Sequence, residues 1–145
     1  MAVYQSGASQ QPLPVDRTGA QEVDLVYGAN AVAPHGDTVR ATYTVPSGLN
    51  ADIQSLLLYT FVDTVDLTSL TADFRALITR VGSAGYNWRR IRHTNNTVNS
   101  SSEYTSEPRV TLRAGDKLEL KTQLVAGGGQ ARIDIAVNAQ VLEYP

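Results

Sequence analysis

Apolar and polar residues alternate along most of this chain. In "TVRATYTV" (38–45) the apolar positions are Val39, Ala41, Tyr43 and Val45. That period of two predicts a strand with one buried face, and Pro46-Ser47-Gly48 ends it because proline offers no N–H to a ladder. "EVDLVYG" (22–28) repeats the pattern with Val23, Leu25 and Tyr27 before Gly28. Asn30 to Asp37, carrying Pro34 and Gly36, reads as a loop. Ile53 to Val62 is different, because both of its faces are apolar. Alternation puts Ile53, Leu57, Tyr59 and Phe61 on one side and Leu56, Leu58 and Val62 on the other.

Residues 64–81 carry two overlapping patterns. Leu67, Leu70, Phe74, Leu77 and Ile78 fit a helical stripe with Asp66 as N-cap, whereas Phe74, Ala76 and Ile78 fit a strand. The reading adopted is a loop or helical turn to about Ala72, then a strand to Val81. "YNWRRIRH" (86–93) follows as a strand with Tyr86 and Trp88 inward, and "TNNTVNSSSEYTSEP" (94–108) as a long polar loop. Val110 and Leu112, then Leu118, Leu120, Thr122 and Leu124, flank a turn at Ala114-Gly115-Asp116. Gly127-Gly128-Gly129 reads as a hairpin turn before the alternating run Ala131 to Val141. Seven or eight short strands separated by turns predict an all-β fold, an antiparallel β-sandwich that is jelly-roll-like.

The first 22 residues break the pattern. They are polar and turn-rich, with only Val3, Tyr4, Leu13 and Val15 as apolar anchors. Ordering each backbone residue costs about 1–2 kcal/mol, so this extended N-terminal arm is either frayed or ordered by lying on a partner. The expected organisation is an arm over 1–22 and a sandwich domain over 23–145.

Composition narrows the functional classes. The 145 residues fit one domain, and a net charge of −2 supplies no long-range attraction to nucleic acid or anionic lipid. There is no cysteine, which excludes disulfides, iron–sulfur clusters and cysteine zinc sites. The N-terminus lacks the basic start and apolar core of a signal peptide, and no apolar run approaches the ~20 residues that span a bilayer. These features predict a protein made in a cytoplasm, with no membrane partner.

Candidate chemistry is sparse. His35 and His93 show no metal-ligand spacing. Asp63, Asp66 and Asp73 lack the EF-hand pattern and read as turn and capping residues. Arg89, Arg90, Arg92 and His93 form the one concentrated positive cluster, with Trp88 and Tyr86 beside it. Strand alternation splits its charges between two faces, which disfavours nucleic acid and favours an inter-subunit ion pair or cation–π contact through Trp88, Arg90 and Arg92. The triple glycine is not followed by the Lys-Ser/Thr of a phosphate loop, and no catalytic motif occurs. No enzyme and no cofactor are expected.

The doubly apolar strand then becomes the most informative feature. If Leu56, Leu58 and Val62 face outward, either a loop of the same chain or a second copy covers them. The second copy is the reading adopted, which makes them the expected oligomer interface. "ATYTVPSGLNADIQSLLLY" (41–59) and "VTLRAGDKLELKTQL" (110–124) together resemble small jelly-roll proteins of tailed bacteriophages, the trimeric capsid decoration (cement) proteins, and more distantly the tumour-necrosis-factor-like trimers. The resemblance covers about residues 38–142. It implies a homotrimer on the virion surface that binds the major capsid protein, bridges its subunits and uses an N-terminal arm, here Val3, Tyr4, Leu13 and Val15. The competing reading is a phage receptor-binding or carbohydrate-binding sandwich with Tyr104 as the loop aromatic.

Overall fold

A computed structural model describes residues 19–66, 69–94, 101–106, 109–127 and 130–145. Every regular element among them is a strand. In order these are β1 (Gln21–Ala33), β2 (His35–Thr44), β3 (Asn50–Asp66), β4 (Ser69–Thr79), β5 (Tyr86–Thr94), β6 (Ser101–Ser106), β7 (Val110–Arg113), β8 (Lys117–Gly127) and β9 (Gln130–Tyr144).

The strands build two antiparallel sheets. One has the order β1-β9-β3-β6, with β7 also pairing along β3, and the other has the order β2-β8-β4-β5. The chain changes sheet at every connection except β4–β5 and β6–β7, so strands far apart in sequence lie side by side. That is the double Greek-key order of a jelly roll, and the expected antiparallel sandwich is the fold observed.

The core lies between the inner faces. Ile53, Leu56 and Leu58 of β3 and Ile133, Ile135 and Val137 of β9 meet Leu118, Leu120 and Leu124 of β8 and Phe74 and Ile78 of β4. Each inner position is followed by an outer one, the alternation expected of a sheet with one wet face.

Several elements differ from the sequence reading, in each case because tertiary pairing outweighs local propensity. β1 runs on through Asn30 and Ala31 to Ala33, since β9 offers partners as far as Ala131. The 64–81 segment contains no helical turn among its described residues, and β4 is held on both sides by β8 and β5. Within the polar 94–108 stretch, β6 pairs with Leu56 to Phe61 of β3. The triple glycine does not close a hairpin: β8 and β9 belong to different sheets, so the chain crosses the sandwich there. Tyr86 is not inward but 45% exposed.

One end of the sandwich is fastened by Asp116. Its carboxylate accepts from the backbone N–H of Val81 and of Arg113, both at 2.9 Å, and from Arg80 Nη1 at 3.0 Å. Its carbonyl accepts from Val45 N at 2.9 Å, while Gly115 N donates to Val45 O at 2.9 Å. Three connections, β2–β3, β4–β5 and β7–β8, are thereby tied at one residue. Gly115 is required beside it. Its φ is +87°, and a Cβ there would lie 2.7 Å from Val81 Cγ2.

Candidate functional site

The expected interface residues occupy three different environments. Leu56, Leu58 and Val62 are not outward: they are sealed in the chain's own core, with Leu58 2% exposed. The reason is a β-bulge between Ile53 and Ser55, with another between Val62 and Thr64. One inserted residue changes the phase of alternation, so Ile53 and Leu56 both point inward and Leu57, Tyr59 and Phe61 point out. The strand is apolar on both faces as expected, but the wet face is the opposite one. Val3, Tyr4, Leu13 and Val15 lie outside the described residues.

The outer face of the first sheet is organised in cross-strand rows. Val26, Asn138, Leu57 and Thr105 form one row; Gly28, Ala136, Tyr59 and Glu103 the next; Asn30, Asp134, Phe61 and Ser101 a third. Leu57, Tyr59 and Phe61 are half-buried by their neighbours, and Val26 is 72% exposed. At one end the face dips into a groove of about 730 Å³ lined by Asp24, Val26, Leu57, Glu103, Asn138 and Gln140. Asn30 Nδ2 donates to Asp134 at 2.7 Å and to Asp63 at 3.3 Å, and Arg132 Nη1 donates to Asn30 Oδ1 at 3.2 Å. Gln140 Nε2 reaches Glu22 at 3.4 Å and Asp24 at 3.5 Å. The sequence signal for this face was Val26, an apolar residue in the outward phase of an otherwise alternating strand.

The outer face of the second sheet carries charge of the other sign. Asp37 pairs with Arg75 and, at 2.9 Å, with Lys121. Asp73 is gripped by Arg90 through two bonds, Nε to Oδ1 at 3.0 Å and Nη2 to Oδ2 at 2.6 Å, and by Arg92 at 3.3 Å. Arg90 and Arg92 therefore satisfy a carboxylate of their own chain. Trp88 does not share their face. It sits at the bulge between Ala76 and Leu77, packs against the core, and has the Arg89 guanidinium 4.8 Å from its ring centroid.

Burial alone would raise the Asp73 carboxyl, but the bonds from Arg90 and Arg92 outweigh it and hold it below the ordinary carboxylate range. Asp116 behaves alike: burial opposes, and the two backbone N–H groups with Arg80 prevail. Asp37 is lowered first by its bond to Arg75. Groups lowered on folding contribute stability that is fully present above their unfolded value of about 3.9 and is lost as pH falls through the lower folded one. The urea midpoint should therefore stay level from about pH 7 to 5 and drop below about pH 4. Asp73→Asn should make that acid limb shallower, and an unchanged limb would refute the assignment.

A second polar cluster spans the two sheets. Arg40 donates to Thr122 Oγ1 at 2.8 Å and to the Tyr27 hydroxyl at 2.9 Å, lies 4.8 Å over the Tyr27 ring, and contacts His35 Nε2 at 3.3 Å. His35 thus acts as a structural partner. Sequence reasoning missed Arg40 because the bulge between Val39 and Ala41 is what aims it across the sandwich. Among the described residues there is no group of three or more metal-ligating side chains, and no helix is long and apolar enough to cross a membrane. The side chains of Asp66, His93 and Tyr104 lie outside the description.

No protein-family profile matches the sequence, and a search of curated proteins finds no match. Solved structures do resemble it in fold. A chain in the structure of infectious bursal disease virus, Gt strain, aligns over 99% of this chain and 42% of its own length, with TM-score 0.50 and 8% identity. The Gx strain gives 98%, 36%, 0.48 and 8% respectively. A chain of Bacillus endospore appendages, described as disulfide-linked pili, aligns over 86% of this chain and 88% of its own, with TM-score 0.40 and 13% identity. This chain spans about two fifths of the length of the viral chains, and what it shares with the Gt strain is the fold.

Proposed function

We propose that this chain is a structural protein of a virion, a jelly roll that decorates the outer surface of a capsid and stabilises it by bridging major capsid protein subunits. The observation that carries the reading is the strand order β1-β9-β3-β6 over β2-β8-β4-β5, in a sandwich of which 99% aligns in fold with part of a chain from the infectious bursal disease virus Gt strain. Clamping of this kind works through many modest contacts summed by avidity rather than through one tight pocket.

Residues 1–18 precede β1 and carry Val3, Tyr4, Leu13 and Val15, the anchors suited to gripping a capsid neighbour. Deleting residues 2–18 leaves β1 intact from Gln21. The truncated protein should keep its melting temperature and fail to cosediment with capsid shells of the virus that encodes it. Cosedimentation equal to that of the full chain would remove the arm from the mechanism. Failure of the full chain itself to bind shells would remove the decoration role. Light scattering counts the copies, for which the resemblance implies three. Burial of Leu56, Leu58 and Val62 withdraws them as the surface between those copies.

A further inference from the structure

We infer that copies of this chain associate heterologously, the acidic outer face of the first sheet of one copy docking on the basic outer face of the second sheet of the next. This goes beyond the virion reading and stands without it.

The two faces are complementary in charge. The first presents Glu22, Asp24, Asp52, Asp63, Glu103 and Asp134 against Arg109, Arg113 and Arg132. The second presents Arg75, Arg90, Arg92 and Lys121 against Asp37 and Asp73, with Lys117 and Glu119 cancelling each other at 3.5 Å. Depth sharpens the contrast at Asp73, where the Arg92 side chain is 61% exposed over a carboxylate that is 4% exposed, so solvent there meets the cations. At the neighbouring cluster the order is reversed, Asp37 being 36% exposed beside Arg75 at 19% and Lys121 at 20%, so the positive character of this face rests on Arg90 and Arg92. On the first sheet it is the carboxylates of Glu22, Asp24 and Glu103 that are exposed.

Each face also carries apolar residues that water should not keep. Val26 is 72% exposed beside half-buried Leu57, Tyr59 and Phe61. Val39 and Val125 of the second sheet are 43% and 50% exposed. The second sheet has strands of 10, 11, 11 and 9 residues, roughly 35 Å long on average. Four of them about 4.8 Å apart give a face of about 670 Å², somewhat below the ~800 Å² per partner of a standard interface. Like faces repel when brought together, whereas unlike faces attract. Self-complementary two-fold pairing is therefore disfavoured, and a head-to-tail contact that generates a ring or a filament is favoured.

The absence of cysteine from the sequence makes the test direct. Val26→Cys marks the first face and Val39→Cys the second, and both positions are exposed. At about 20 mM salt a short bis-maleimide should link Val26→Cys copies to Val39→Cys copies in a mixture and should link neither variant to itself. The product should vanish near 0.5 M salt, where charges are screened within about 4 Å. Light scattering on the unsubstituted chain should show the same salt-sensitive assembly, either as a ring or as a filament. Asp24→Lys with Glu103→Lys should abolish it without lowering the melting temperature. Self-linking of Val26→Cys as fast as in the mixture would overturn the inference. So would a monomeric mass at low salt and high concentration.

Discussion

Leu58→Ala is expected to lower the free energy of unfolding by about 3–4 kcal/mol, whereas Leu57→Ser one residue away should change it by less than about 1 kcal/mol. Leu58 is 2% exposed and belongs to the core between the sheets. Truncating it forfeits the transfer energy of a buried leucine and leaves a cavity that a five-stranded sheet cannot collapse to fill. Leu57 stands on the outer face between Val26 and Thr105, across Asn138, and serine there keeps the ladder intact. Urea titration of both variants reads the difference. Equal destabilisation would mean that the bulge at Ile53/Ser55 does not set the phase of β3. If copies associate as inferred, Leu57→Ser should weaken assembly while leaving the fold alone, so the pair also separates folding from docking.

Asp116→Ala should be the most damaging polar substitution, at about 2–4 kcal/mol. The carboxylate satisfies two backbone N–H groups and a guanidinium, and its loss leaves the N–H groups of Val81 and Arg113 without an acceptor. Asp116→Asn keeps one acceptor oxygen but no charge, so it should fall between wild type and alanine. It should also remove part of the decline in stability below about pH 4. Arg80→Ala should cost less than Asp116→Ala, because Arg80 is more exposed and contributes only one of the three carboxylate contacts. Chemical denaturation at pH 7 and pH 3 measures both effects. An alanine variant as stable as wild type would show that the three connections hold without their common anchor.

These two residues illustrate how far the sequence could be read. "AGDKLEL" announced a turn and a strand, and the turn is there, but nothing local says that Val45, Val81 and Arg113 converge on Asp116. Those contacts span 35 residues between Asp116 and Val81 and depend on the order in which strands cross the sandwich. Arg90 and Arg92 looked like a surface cluster open to another subunit. The register of β5 on β4 sets them over Asp73 instead. The polar stretch that became β6 had too few apolar residues to signal a strand. As an edge strand it depends on β3 for its ladder rather than on its own pattern.

By itself the sequence determined that the protein is built of strands, because period-two alternation in β1, β2, β8 and β9 can bury an apolar face only in a sheet. It also determined that cysteine chemistry has no part, and that β3 would be apolar on both sides. Only the tertiary structure decided which side of β3 is wet. A bulge inserts one residue, one residue inverts every side chain beyond it, and whether a bulge forms depends on how β9 pairs along β3 rather than on the residues of β3 alone.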